Sequence, residues 1–286
     1  MNRYKDTKIA SLLGIFGNVF LFVIKIIIAL ITYNVGMLAD SFNSAGDILS
    51  SVITYIGNKI SSKPNDEDHN MGHGKAEYIF SMLLSLIMMF TSFVLFKTSI
   101  DSIIFGKKYI FSIWLIIISI ITIITKLLLF LYTRKIAKKH KNLLLNANSK
   151  DHRNDIFITS ANLISILLSL INIYYLDGFI GLFITLWIFI TSIKIFKNSY
   201  DVLMDKAIDD DTKNKVLKIV SKYEEIKKIQ HFNSTPVGYK YQISLTIFVD
   251  GNLSTFKSHE IADKLEKEII KSCDEIYLAI IHVNPI

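Results

Sequence analysis

The chain has 286 residues, of which 51% are hydrophobic and only 20% are charged, a composition that excludes an ordinary soluble domain. Its net charge of +7 does not indicate a nucleic-acid partner, because residues 209–286 contain 11 Lys and 12 acidic residues and are nearly neutral. The basic excess falls in the apolar part of the chain, which is typical of a membrane topology signal. The single cysteine, Cys273, excludes an intrachain disulfide and a Cys-based metal cluster.

The apolar residues form blocks of about 20 residues, the length that a helix needs to cross roughly 30 Å of hydrocarbon. The first block is too long for the core of a signal peptide, so we predict a retained helix. The pattern predicts six transmembrane spans, at 8–32, 36–59, 76–105, 110–133, 150–175 and 177–199.

The connections between these spans differ in charge. The turns at 33–36 and 177–178 lack Lys and Arg, whereas the connection between the fourth and fifth spans is strongly basic. The positive-inside rule then places both termini, the loop between the second and third spans and the basic connection in the cytoplasm, with Lys107 and Lys108 as an exception on the outer side. The basic connection contains Arg134, Lys135, Lys138, Lys139 and Lys141.

The pattern changes after Asp205, which predicts a transmembrane domain at 1–205 and a cytoplasmic domain at 206–286. The pattern of the second domain predicts the element order α-β-β-α-β, which indicates a small α+β, ferredoxin-like fold. Its predicted elements include an amphipathic helix at 209–223, a strand at 239–249, a helix of about 18 residues from Ser254 and a strand at 277–283.

The second and fifth predicted spans each carry a closely spaced set of polar residues with carboxylates, which are costly in a membrane and therefore suggest function. Asn43 with Asp47 in the second span, and Asp151 with Asp155 in the fifth, are spaced i, i+4 and so lie on one face of each helix. If the two faces meet, three carboxylates and one amide oxygen surround a point that a divalent cation would neutralise. The alternative is that these acids cap helix ends or face water. His152 points about 100° away from Asp151 and is predicted to lie off this site.

Two lysines in the spans and a polar loop between spans have simpler interpretations. Lys25 and Lys126 also lie in spans, where long Lys side chains snorkel or pair, and we assign neither a role in transport. The loop between the second and third spans holds Asp66, His69 and His73, which could form a metal site or a solvated acidic loop.

These segments resemble the cation diffusion facilitator family over nearly the whole chain. The segments from Leu38 to Asp47 and from Asp151 to Asp155 resemble the family's second and fifth spans, and His69–Glu77 is similar to the loop before its third span. The tail, down to Ile280–His282, resembles the family's cytoplasmic domain. The resemblance implies a homodimer in the lipid bilayer that exports divalent metal in exchange for protons, with no enzymatic activity and no organic cofactor.

The resemblance also assigns roles to individual residues. It places the transport site at Asn43, Asp47, Asp151 and Asp155, and a second metal site at Asp66, His69 and His73. His231, His259 and His282 match metal-binding positions of the cytoplasmic domain, although Ser244 and Asn284 replace expected ligands there. Lys75 and Asp205 match a pair that forms a salt bridge at the dimer interface.

The predicted substrate is Mn2+, because the transport-site positions lack the His residues of zinc members and all-oxygen ligands suit hard ions. Export of Zn2+ or Fe2+ remains an alternative. A membrane-anchored metal sensor and an intramembrane enzyme are the other classes, and the chain has no His-Glu-x-x-His or Gly-x-Ser-x-Gly motif. The lack of a His-rich insert after the fourth span favours a bacterial inner-membrane protein.

Overall fold

The computed structural model describes residues 3–32, 35–105, 113–169 and 176–286, without the side chains of 35–40, 42 and 43 and of a few residues near helix ends. The described residues form six long helices followed by a small α+β region. The long helices are α1 (Arg3–Thr32), α2 (Val35–Ser61), α3 (Ala76–Phe105), α4 (Ile113–Lys139), α5 (Leu143–Ser169) and α6 (Leu176–Leu203).

The connection between α4 and α5 is shorter than the sequence suggests. Helix α4 continues through the basic residues to Lys139, since Lys and Arg are good helix formers and favour a helix C-terminus. Helix α5 begins at Leu143, seven residues before the predicted start, because Asn142 Oδ1 accepts a hydrogen bond from the Leu145 backbone N–H at 2.7 Å and caps the helix. Asp151 therefore lies more than two turns inside α5.

The helical bundle is apolar outside and polar within. Helices α1, α3, α4 and α6 are long and apolar enough to cross a membrane, and they expose large side chains such as Phe16, Phe90 and Phe183. Many buried positions instead hold Ser, Thr, Asn and Lys side chains. This arrangement is expected of a membrane bundle, in which apolar side chains face lipid and polar side chains contact one another inside.

The packing of the bundle brings α2, α4 and α5 around a common centre. Helix α1 packs against α2 and α4, α4 packs against α5, and α2 contacts both α3 and α5. Helix α6 approaches α3 where Gly181 lies against Ser99, and a Cβ atom at this glycine would collide with the Ser99 hydroxyl. The acidic helices of the sequence are thus interior neighbours.

The second compact unit comprises Lys63–Lys75 and Tyr200–Ile286. Its elements are α7 (Asp210–Val220), β1 (Lys228–Val237), β2 (Lys240–Val249), α8 (Thr255–Ser272) and β3 (Ile276–Pro285). Strand β2 is central, antiparallel to β1 and parallel to β3. Ile243, Leu245 and Ile247 project from β2 into a core that also holds Leu265 and Ile269 of α8.

Side-chain caps fix both helices of this unit. Asp209 accepts a hydrogen bond from the Thr212 backbone N–H at 2.9 Å, and this bond lowers the pKa of the Asp209 carboxyl. Ser254 caps α8 in the same way through the Lys257 backbone N–H. The predicted fold, a six-helix transmembrane bundle with a small α-β-β-α-β domain, is confirmed.

The loop at 63–75 meets the turn between β1 and β2. Gly238 has a φ of 63° in that turn, and a Cβ atom at Gly74 would lie 2.7 Å from the Gly238 Cα. Both positions therefore require glycine, one for its backbone conformation and one for the close approach.

Candidate metal centre

Two acidic residues meet in the centre of the helical bundle. Asp47 lies midway along α2 and Asp155 midway along α5, and their side chains are only 17% and 14% exposed. Each carboxylate accepts a hydrogen bond from the Lys126 ammonium, with a distance of 2.6 Å from Nζ to Oδ2 in both cases. The middle of the bundle thus contains a buried cluster of opposite charges.

Asp151 and Asn43 are the other predicted ligands. Asp151 lies one turn before Asp155 on α5, accepts a hydrogen bond from Ser50 and interacts electrostatically with Asp47. The side chain of Asn43 lies outside the described part of the structure. Its backbone lies in α2, one turn before Asp47. The structure therefore brings three of the four predicted ligands into one neighbourhood.

Lys126 pairs, which is one of the two behaviours expected of a Lys in a span, and it does not snorkel. It lies midway along α4, and its side chain is only 1% exposed. With 13 residues to either end of the helix, the nearest end is about 20 Å away, too far for a Lys side chain to reach. The ammonium instead joins α2 to α5 through Asp47 and Asp155.

A group of polar side chains lies beside the acidic cluster, between α1, α2 and α5. Asn18 donates hydrogen bonds to the Asp47 backbone carbonyl at 3.0 Å and to Ser51 Oγ at 2.9 Å. His152 is buried near Gly14 of α1, where a Cβ atom would lie 3.7 Å from Nε2. Neither ring nitrogen of His152 has a hydrogen-bond partner in the described part of the chain, and the same holds for the amide of Asn148. Buried polar groups of this kind can be satisfied by water or by a hydrated ion.

The loop residues Asp66, His69 and His73 form a compact group. His69 Nδ1 lies 3.2 Å from Asp66 Oδ1, and His73 Nε2 lies 3.4 Å from Asp66 Oδ2. The local turn, with Gly72 at a φ of 74°, brings the side chains together. Desolvation opposes the effect, but the His69 hydrogen bonds and the electrostatic interaction with His73 hold the pKa of the Asp66 carboxyl below its usual value. An ionised carboxylate beside two imidazoles can bind a divalent ion.

The three predicted His ligands of the second unit are not gathered in this way. His231 is exposed at an irregularity of β1, with a φ of 54°. His259 is exposed on α8, 3.6 Å from Asp263, and His282 is exposed on β3. Among the described residues, only Asp66, His69 and His73 form a set of three or more His, Cys, Asp or Glu side chains whose ligand atoms all lie within 4.8 Å of one another.

Lys75 and Asp205 form an ion pair within the chain. Lys75 Nζ lies 2.7 Å from Asp205 Oδ1, and the two side chains are 41% and 54% exposed. Exposed pairs contribute about 0–1 kcal/mol, so this contact by itself adds little to folding stability. Asp205 also has a φ of 55°, in the turn that follows α6.

Comparisons with known proteins agree with this architecture. The family model of the cation efflux transmembrane domain matches residues 11–204, and that of the cation efflux protein cytoplasmic domain matches residues 208–286. An uncharacterized transporter of Methanocaldococcus jannaschii is 28% identical over 273 residues, covering 96% of each chain.

Two similar proteins of Bacillus subtilis carry a substrate in their names. Manganese efflux system protein MneP is 26% identical over 290 residues, which cover 99% of this chain and 97% of MneP. Manganese efflux system protein MneS is 27% identical over 289 residues, which cover 100% of this chain and 99% of MneS. With both of its domains matched, the chain belongs to the cation efflux, or cation diffusion facilitator, family and is a multi-pass membrane transporter.

Proposed function

We propose that this protein exports divalent metal, with Mn2+ as the favoured substrate, through a site formed by Asn43, Asp47, Asp151 and Asp155. The observation that carries the proposal is the burial of Asp47 and Asp155 midway along neighbouring helices, with Asp151 one turn before Asp155. Carboxylates at this depth are costly and need a cation to compensate them. A divalent ion supplies that charge during transport.

The choice of Mn2+ rests on the ligand atoms. The four positions offer carboxylate and amide oxygens, which suit Mn2+, whereas Zn2+ binds well to imidazole. The names of the two Bacillus subtilis relatives support the same ion. Fe2+ also accepts oxygen ligands, so Fe2+ is the stronger competitor and Zn2+ the weaker one.

Exchange with protons follows from the chemistry of carboxylates. A metal ion needs deprotonated ligands, so binding releases protons and protons compete with the metal. A proton that enters from outside can therefore help to release the metal there. We propose an antiporter in which the inward proton gradient drives metal export.

The assembly and orientation complete the proposal. We assign residues 1–205 to transport and 206–286 to a cytoplasmic domain that holds a homodimer, with both termini in the cytoplasm of a bacterial inner membrane. Lys75 and Asp205 would then lie near the dimer interface. The basic end of α4 supports this orientation.

The two other candidate metal sites have different strengths. Asp66, His69 and His73 would form a second site in the loop, because their ligand atoms converge. His231, His259 and His282 do not converge, and Ser244 and Asn284 lack the chemistry of the expected ligands. We therefore propose that the cytoplasmic domain has a mainly structural role.

Counting the ions that enter vesicles separates a transporter from a membrane-anchored sensor. Purified protein in liposomes should accumulate many Mn2+ ions per protein inside the vesicle, because each molecule turns over repeatedly. A sensor would bind only a few ions per protein and leave the lumen empty. Accumulation no greater than that in protein-free liposomes would contradict the proposal.

A further inference from the structure

We propose that the Lys126 ammonium is a tethered cation that occupies the empty transport site and that the metal must displace, so that Lys126 sets the affinity and the charge selectivity of the site. The proposal rests on the proposed function of the acidic residues as metal ligands. Nζ lies 2.6 Å from one oxygen of Asp47 and 2.6 Å from one oxygen of Asp155, the two carboxylates that the metal would bind.

The geometry makes the two cations competitors. The ligand atoms of Asp47, Asp151 and Asp155 do not all lie within 4.8 Å of one another, unlike those of the loop group. The ammonium occupies the space between two of these carboxylates. A metal that draws the three carboxylates around itself must therefore take oxygen atoms from Nζ.

The displaced ammonium has an acceptor close at hand. Thr122 lies one turn before Lys126 on the same buried face of α4, and its hydroxyl has no hydrogen-bond partner among the described residues. Helical side chains lean towards the N-terminus of their helix, which is the direction of Thr122. The four-carbon Lys stem is flexible enough to move the ammonium between the two positions.

Competition with an attached ammonium selects for charge. A monovalent ion offers the carboxylates the same charge as the ammonium. The ammonium is covalently attached nearby, so its effective concentration at the site is higher than that of a free ion. A divalent ion offers twice the charge and so twice the Coulomb attraction at equal distance. Lys126 would thus exclude K+ and Na+ from the site while admitting Mn2+.

The test compares Mn2+ binding by the full-length protein and its Lys126→Met and Lys126→Arg variants, with and without 150 mM K+. Met removes the charge and keeps an unbranched chain. We expect Lys126→Met to bind Mn2+ at least about tenfold more tightly, a change of 1.4 kcal/mol, and to lose part of this gain in K+. Lys126→Arg keeps the charge and should show neither effect. An affinity that is unchanged or weaker in Lys126→Met would overturn the proposal.

Lys25→Met is the matched control for loss of any buried charge in the bundle. Lys25 is 4% exposed on α1 and donates a hydrogen bond to Ser44 Oγ at 3.0 Å. We expect its Mn2+ affinity to change by less than about threefold. A gain in affinity as large as that of Lys126→Met would contradict the proposal. It would mean that the overall electrostatic field of the bundle controls Mn2+ binding, and not occupancy of the site by the ammonium.

Two further measurements separate the possible failures. If Asp155→Ala binds Mn2+ normally, the proposed function fails; if it loses binding while Lys126→Met gains nothing, only the role of Lys126 fails. Should Lys126→Met be unstable without metal, its melting temperature should rise more with Mn2+ than that of the wild type, because the ion replaces the missing charge. A variant that remains unfolded with Mn2+ would assign Lys126 a purely structural role.

Discussion

Replacement of either Asp47 or Asp155 by Ala is expected to reduce Mn2+ flux into proteoliposomes by at least about a hundredfold. Loss of a residue that only supports a metal ligand typically costs 10- to 100-fold, so loss of a ligand should cost at least as much. The fold should persist, because each variant leaves Lys126 one carboxylate partner at 2.6 Å. Initial rates of Mn2+ uptake, normalised to the amount of folded dimer or monomer recovered, give the comparison.

Asp101→Ala provides a matched control for this experiment. Asp101 lies on α3 in the helical bundle but is not part of the acidic cluster, so its replacement should leave flux within about threefold of the wild type. Near-normal flux in both Asp47→Ala and Asp155→Ala would remove these residues from the transport site.

Changing both Asn43 and Asp151 to His is expected to reverse the metal preference in favour of Zn2+ by at least about tenfold. The variant site would offer two imidazoles and two carboxylates, a ligand set that fits tetrahedral Zn2+. Both positions lie one turn before an acid on their helices, so each imidazole would share a helix face with that acid. Competition between Mn2+ and Zn2+ for binding to the purified variant measures the change.

The single variants Asn43→His and Asp151→His serve as controls and should shift the preference part of the way. A Zn2+/Mn2+ ratio that does not change in the double variant would place selectivity outside these ligand positions, for example in the packing that sets the size of the site.

Most of the fold could be predicted from the sequence, because helices and strands produce patterns among residues that are close together in the chain. Apolar blocks revealed the six helices, and the i, i+4 spacing correctly predicted that Asp151 and Asp155 share a face. The start of α5 was wrong by seven residues, because the polar stretch after Leu145 does not resemble a membrane span. The Asn142 cap was a usable signal, since Asn before an apolar run is a common helix start.

The contacts of Lys126 with Asp47 and Asp155 could not be predicted in the same way. Nothing along the sequence of α4 says which helices face this residue, and only the packing of α2 and α5 brings Asp47 and Asp155 to its ammonium. The signal that was present is its depth, because a charge midway along a membrane helix requires a partner. Whether the three His residues of the C-terminal domain meet could not be predicted either, because sheet register and helix packing decide it.

Mn2+ flux across a controlled pH gradient tests the central claim most directly. Wild-type proteoliposomes that are acidic inside should take up external Mn2+ faster than vesicles at equal pH, since outward proton flow would drive the exchange. Asp155→Ala should take up Mn2+ at least about a hundredfold more slowly than the wild type under either condition. Wild-type uptake that matches Asp155→Ala and does not respond to the pH gradient would contradict both the assigned site and the exchange mechanism.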